Sequence, residues 1–160
     1  MRILTSARIA RPTEATRFYG PEVFFGYHPR TLDSKWRVVI PSKWRQQLGA
    51  NFRLVIIQRE QSKDPKMIYL YPQTAWEALR QTIGNFNEIK TFYSSTFELE
   101  FDTNGRVVIP QEVIAAVGFS SAQQLLVKGC GDHLEISKQT QPPAFTPIIS
   151  PPTSPQGKQL

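Results

Sequence analysis

The chain has 160 residues, 40% of them hydrophobic and 11% aromatic, and a formal net charge of +6. That length suits one domain or two half-sized units sharing a core, and a single cysteine excludes an intramolecular disulfide framework. No apolar run approaches the roughly 20 residues of a membrane-spanning helix, and the first 17 residues lack the continuous apolar stretch of a signal peptide, so a soluble cytoplasmic chain is expected.

Residues 1–22 hold breakers (Pro12, Gly20, Pro21) and little periodicity, which predicts a mobile N-terminal extension. The first folded unit spans 23–72. A strand-like stretch leads to a turn over Asp33–Trp36, and Arg37–Ile40 reads as a β-branched strand. Pro41 suits the first turn of a short helix that continues to Leu48, where Gly49 can close it in the left-handed conformation. Phe52–Gln58 and Met67–Tyr71 are two further apolar strands. A linking helix is expected over 73–95. Thr74 and Glu77 have capping-box spacing, and Trp76, Leu79, Ile83 and Phe86 form one apolar stripe that reads as core or subunit contact.

The second unit, 96–138, opens on Phe97, Leu99 and Phe101 alternating with Glu98 and Glu100, the period of a half-buried strand. Its turn, Asp102-Thr103-Asn104-Gly105, suits positive φ at Asn and Gly. Arg106–Ile109, a helix from Pro110 to Val117, then Leu125–Lys128 and His133–Ser137 repeat the first unit's order, with a hairpin turn at Gly129–Asp132. Residues 32–49 and 101–118 align without a gap. Asp33/Asp102, Arg37/Arg106, Val38/Val107, Val39/Val108, Ile40/Ile109, Pro41/Pro110 and Gly49/Gly118 are identical pairs. An internal repeat of this kind means two copies of one small unit. Residues 139–160, with six prolines among Ser, Thr and Gln, read as a disordered tail.

Charge divides the copies. Residues 24–60 carry Arg30, Lys35, Arg37, Lys43, Arg45, Arg53 and Arg59 against Asp33 and Glu60, a sum of +5, whereas 61–140 sum to −2. The basic copy is either a solvated face or a surface for a polyanion. Enzyme signals are scarce, with two histidines, no P-loop and no dinucleotide fingerprint. Cys130 and His133 are too few for a four-ligand zinc site. No catalytic residue, metal, cofactor, membrane contact or small-molecule substrate is therefore expected. Glu98, Glu100 and Asp102 read as a solvated or salt-bridged face. The doubled Asp-x-x-x-Arg remains. Asp33 and Asp102, with Gly105, are read as turn-forming, while the arginines either form local ion pairs or grip phosphate and guanine edges.

These residues carry a resemblance. The stretch from Asp102 to Pro110 is similar to the opening of an AbrB/MazE-type swapped-hairpin domain, and two such units in one chain resemble the MraZ family. Phe25-Gly26, Phe92-Tyr93-Ser94-Ser95 and Gly129–Ile136 fit the same pattern, so the resemblance covers about residues 24–138. It implies a mainly β fold with short helices (α+β), a tandem pseudo-repeat of the AbrB-like double-psi or swapped-hairpin barrel type. It also implies a ring-like homo-oligomer and a nucleoid-associated, sequence-specific transcriptional regulator. Such a regulator binds double-stranded DNA at direct repeats upstream of division and cell-wall genes. By matched position, Lys35, Arg37 and Arg106 inherit the DNA contact, and Arg30 and Asn104 complete the expected set. An antitoxin-like interaction module and a structural oligomer without specific DNA binding are the competing readings. Trp36 stands where that family's turn has Gly, and a Trp at positive φ is strained. Either the first turn changes shape, or Trp36 packs on a neighbour or stacks at the DNA surface.

Overall fold

The structure is a computed structural model that describes residues 23–57 and 67–139, so the expected N-terminal extension and nearly all of the Pro-rich tail lie outside the described residues. Among the described residues, eight strands and four helices follow the chain as β1 (Tyr27–Thr31), β2 (Arg37–Val39), α1 (Ser42–Leu48), β3 (Phe52–Ile57), β4 (Met67–Tyr71), α2 (Gln73–Arg80), α3 (Phe86–Ser94), β5 (Thr96–Leu99), β6 (Arg106–Val108), α4 (Gln111–Val117), β7 (Gln124–Gly129) and β8 (Leu134–Lys138). Each copy of the repeat thus builds strand, turn, short strand, short helix and hairpin.

The copies do not stand side by side. One six-stranded antiparallel sheet runs β1-β7-β8-β4-β3-β5, and β2 pairs with β6 in a separate two-stranded ribbon. The first strand of each copy lies beside the third strand of the other, as β1 with β7 and β5 with β3. The hairpins meet at β4 and β8, where Tyr69 faces Glu135, and the ribbon is centred on Val38 opposite Val107. These crossed pairings give the chain an approximate two-fold symmetry. The fold is α+β, as expected. The barrel is a correction: among the described residues β1 and β5 are the two edges of an open sheet, and no barrel closes. Its two ends are occupied by strands from different copies, and the ribbon pairs on its own instead of bridging them.

Alternation along the strands sorts two cores onto opposite faces of the sheet. Leu54, Ile68, Leu70, Leu125, Val127, Leu134 and Ile136 join Val38, Val107, Ile40 and Ile109 of the ribbon and Trp44 and Val113 of α1 and α4. The other face holds Val55, Tyr69 and Tyr71 against Ala75, Trp76 and Phe92 of α2 and α3. At Gly129 the edge of β7 lies so close to Phe24 and Phe25 that a Cβ would run into their backbone.

Three local expectations change. The linker is two helices, because α2 ends at Arg80 and a new start forms at Asn85, whose side chain accepts from the Glu88 N–H at 2.8 Å. Gly84 before that cap makes the break cheap. Phe86 consequently leaves the apolar stripe and is exposed. The Thr74 capping box does not form, since Gln73 already lies in the helix and Pro72 caps it without a side-chain bond. Gly49 has φ 79° with an extended ψ of −176°, whereas Gly118 takes the full left-handed cap.

Candidate nucleic-acid interface

Each Asp-x-x-x-Arg closes the same tight hydrogen-bonded turn. Asp33 Oδ1 accepts from the N–H of Lys35 at 2.8 Å and of Arg37 at 2.9 Å, while Arg37 Nε donates to Oδ2 at 2.7 Å. In the second copy, Asp102 Oδ1 accepts from Asn104 at 2.8 Å and Arg106 at 2.9 Å, and Arg106 Nε donates to Oδ2 at 2.8 Å. A carboxylate reaches these amides because Asp is short enough to bond backbone two residues on. The aspartates therefore form the turns, and the arginines use one edge of the guanidinium for a local ion pair. Among the described residues their Nη groups have no hydrogen-bond partner.

The turn's N–H donors, with the ion pairs, depress both acids. Burial would raise Asp33, but the N–H and guanidinium of Arg37 with the N–H of Lys35 outweigh it and hold it below the usual carboxylate range. Asp102 is lowered first by the Arg106 N–H, against a smaller desolvation effect and with help from the Arg106 guanidinium and the Asn104 N–H. A carboxylate with a lower pKa folded than unfolded stabilises the fold above its unfolded pKa, and that contribution is lost as pH falls through the folded value. Stability should therefore hold down to the ordinary carboxylate range and drop below it. Urea midpoints measured from pH 5 to pH 2 should show a shallower acid limb for Asp33→Asn/Asp102→Asn than for the wild type.

The fourth residue of each turn decides its shape. Trp36 has φ 64° and Gly105 has φ 75°, so the first turn keeps the left-handed geometry of the second despite its bulky side chain. That conformation costs a non-Gly residue about 1–2 kcal/mol. Trp36 packs against the core, whose apolar contact offsets the strain. Gly105 instead lies under the Arg45 guanidinium, which donates to the Ile40 carbonyl at 2.6 Å.

The two turns feed one ribbon. Arg37 pairs with Val108 and Val39 with Arg106. Side chains directly opposite in an antiparallel pair share a face, and Val38 and Val107 point into the core. Arg37, Val39, Arg106 and Val108 therefore form one outward square with both valines exposed. Arg30 leans onto its edge, donating from Nε to the Val39 carbonyl at 3.0 Å. Lys35 and Asn104 are exposed in the turns at opposite ends of the ribbon. The structure thus sets Arg37, Arg106 and Arg30 together and leaves Lys35 and Asn104 at the periphery. The valines were missed in sequence, although alternation around buried Val38 and Val107 signals them.

Elsewhere the acidic approach strand is partly salt-bridged, with Glu98 3.8 Å from Arg53 across β3 and β5. No described helix is long and apolar enough to cross a membrane.

Comparison with known proteins gives the chain a family. Residues 23–91 match the family model described as "MraZ protein, putative antitoxin-like". The chain is 31% identical to "Transcriptional regulator MraZ" of Limosilactobacillus fermentum over 122 residues, covering 71% of this chain and 80% of that protein. Proteins of the same name from Leuconostoc citreum (32% identity, 71% and 80% covered) and Leuconostoc mesenteroides subsp. mesenteroides (30%, 78% and 87%) are similarly related. Among solved structures, "The solution structure of PHS018 from pyrococcus horikoshii" aligns with 74% of this chain and 98% of that one, at 14% identity and a TM-score of 0.32. Identity of about a third across most of both partners, on a chain with a doubled Asp-x-x-x-Arg turn, makes this protein a member of the MraZ family.

Proposed function

We propose that this chain is a non-enzymatic, sequence-specific transcriptional regulator that binds double-stranded DNA through the β2–β6 ribbon. The observation that carries the reading is the outward square of Arg37, Val39, Arg106 and Val108. A two-stranded ribbon fits the major groove, arginine pairs with guanine O6 and N7, and an apolar side chain contacts the thymine methyl. Arg30 and Lys35 add phosphate contacts, with Asn104 at the far turn. The crossed pairings support reading 23–72 and 96–138 as two AbrB-like swapped-hairpin units joined through 73–95. Several such ribbons on a ring-like homo-oligomer would engage direct repeats upstream of division and cell-wall genes, in the cytoplasm at the nucleoid. Linked weak contacts gain avidity through effective concentration.

The family description also names an antitoxin-like role. Co-purification of a toxin that blocks DNA binding would favour that reading. The deciding experiment is a gel-shift on DNA upstream of the chain's own gene, repeated from 50 to 200 mM salt. Specific binding should weaken with a log–log slope of about −0.9 per phosphate contact. Equal binding to unrelated DNA, or none, overturns the proposal.

A further inference from the structure

The β7–β8 hairpin brings together donors on the sheet face opposite the ribbon. The donor atoms of Cys130, His133 and Glu135 lie within 4.8 Å of one another. His133 Nε2 is 3.1 Å from Glu135 Oε2, and Nδ1 is 2.8 Å from Asp132 Oδ1. The imidazole stacks on Tyr69 at 5.1 Å and Tyr71 at 4.9 Å between ring centroids, so its plane is held. Asp132 is 8% exposed and the one charged residue buried among those described.

We propose that this hairpin binds one divalent zinc ion through Cys130 Sγ, His133 Nε2 and a Glu135 carboxylate oxygen, with Asp132 as the positioning residue. Sulfur, nitrogen and oxygen donors together suit zinc. Zinc bonds of about 2.0–2.3 Å at tetrahedral angles set neighbouring donors about 3.3–3.8 Å apart. The Nε2–Oε2 pair at 3.1 Å need open only slightly, and donors within 4.8 Å of one another need only small side-chain shifts to reach that spacing. Asp132 already accepts from Nδ1, which turns Nε2 toward the ion, the usual carboxylate support of a zinc-bound histidine. Without an ion, burial and the Glu135 carboxylate push the Cys130 thiol up to about 12. Binding breaks the S–H bond, forms a Zn–S bond and releases the proton to solvent, together with the Nε2 proton where the ring carries one. Three protein ligands leave the fourth position to water or a partner's donor. Sequence spacing alone did not reveal the site, because Glu135 lies beyond the Cys-x-x-His pair and Asp132 looks like a turn residue.

The test is direct because Cys130 is the chain's single cysteine, so any metal–thiolate signal reports this site. Full-length protein stripped with a chelator is titrated with Zn²⁺ against a chromophoric competitor, and separately with Co²⁺. One equivalent of zinc should bind, and Co²⁺ should give thiolate charge-transfer absorption with tetrahedral visible bands. Cys130→Ser should abolish the charge-transfer band and weaken zinc at least about a hundredfold, with unchanged circular dichroism. Asp132→Asn should weaken it by about 10–100-fold while keeping the band. Absence of stoichiometric zinc binding at micromolar concentration, absence of the charge-transfer band, or equal affinity in Cys130→Ser overturns the proposal. DNA binding by the opposite face is read separately, so either result stands alone.

Discussion

Removing both ribbon arginines should abolish specific DNA binding while leaving the fold intact. Each arginine that reads a guanine is worth about 1–3 kcal/mol. Arg37→Ala/Arg106→Ala should thus lose about 2–6 kcal/mol, or roughly thirtyfold to twenty-thousandfold in affinity. The local ion pairs are partly exposed, so their loss should cost each turn no more than about 1 kcal/mol. Two features add to the binding loss. The vacated Asp33 and Asp102 carboxylates would face phosphate unneutralised, and on an oligomer the defect repeats in every subunit. Arg37→Lys separates the roles, because lysine keeps the charge but lacks the planar fork that reads a base. It should keep the salt slope and lose discrimination between cognate and mutated repeats. Arg80, paired with Glu77 on α2, is the control, and Arg80→Ala should bind as the wild type does. Fluorescence anisotropy on labelled repeats checks the series. A double variant within threefold of wild-type affinity would sink the assignment of the ribbon.

The second large effect concerns stability. Leu70 is fully buried on β4, paired with Leu54 of β3 on one side and Leu134 of β8 on the other. It thus lies where the two copies meet. Leu70→Ala should destabilise the chain by about 2–5 kcal/mol, combining lost burial with the cavity left behind. That is a large fraction of the 5–15 kcal/mol typical of a domain. The crossed pairing adds a sharper expectation. β7 of the second copy is held by β1 of the first, and β3 of the first by β5 of the second. The copies should therefore unfold together. Native-state hydrogen exchange at Leu54 and Leu125 should report the same opening free energy, lowered equally by the substitution. Unchanged protection at Leu125 alongside loss at Leu54 would mean that the units fold independently.

Much of this was legible along the chain. The turns at Asp33 and Asp102 close within five residues, so side-chain reach and backbone chemistry suffice to read them. The short helices after Pro41 and Pro110 announce themselves by the same local logic. The linker was harder, because its apolar stripe continues past the point where the backbone breaks. Asn85 and Glu88 offer a cap that outcompetes the weaker continuation through Gly84. Trp36 shows the opposite case. A residue that disfavours positive φ takes it anyway, because the two hydrogen bonds closing the turn and contact with the core outweigh about 1–2 kcal/mol of strain.

The sequence by itself determined the repeat unit, the turn chemistry at Asp33 and Asp102 and the short helices after Pro41 and Pro110, all interactions between near neighbours. Only the tertiary structure decided that strands from different copies pair, that both arginines share one face, and that His133 sits between Asp132 and Glu135 beneath two tyrosines. Pairing Thr31 with Gln124 closes a long loop whose entropy no local motif offsets. The register is chosen by the simultaneous burial of Leu54, Leu70, Leu125 and Leu134 from both copies, which belongs to the assembled sheet and to no single segment.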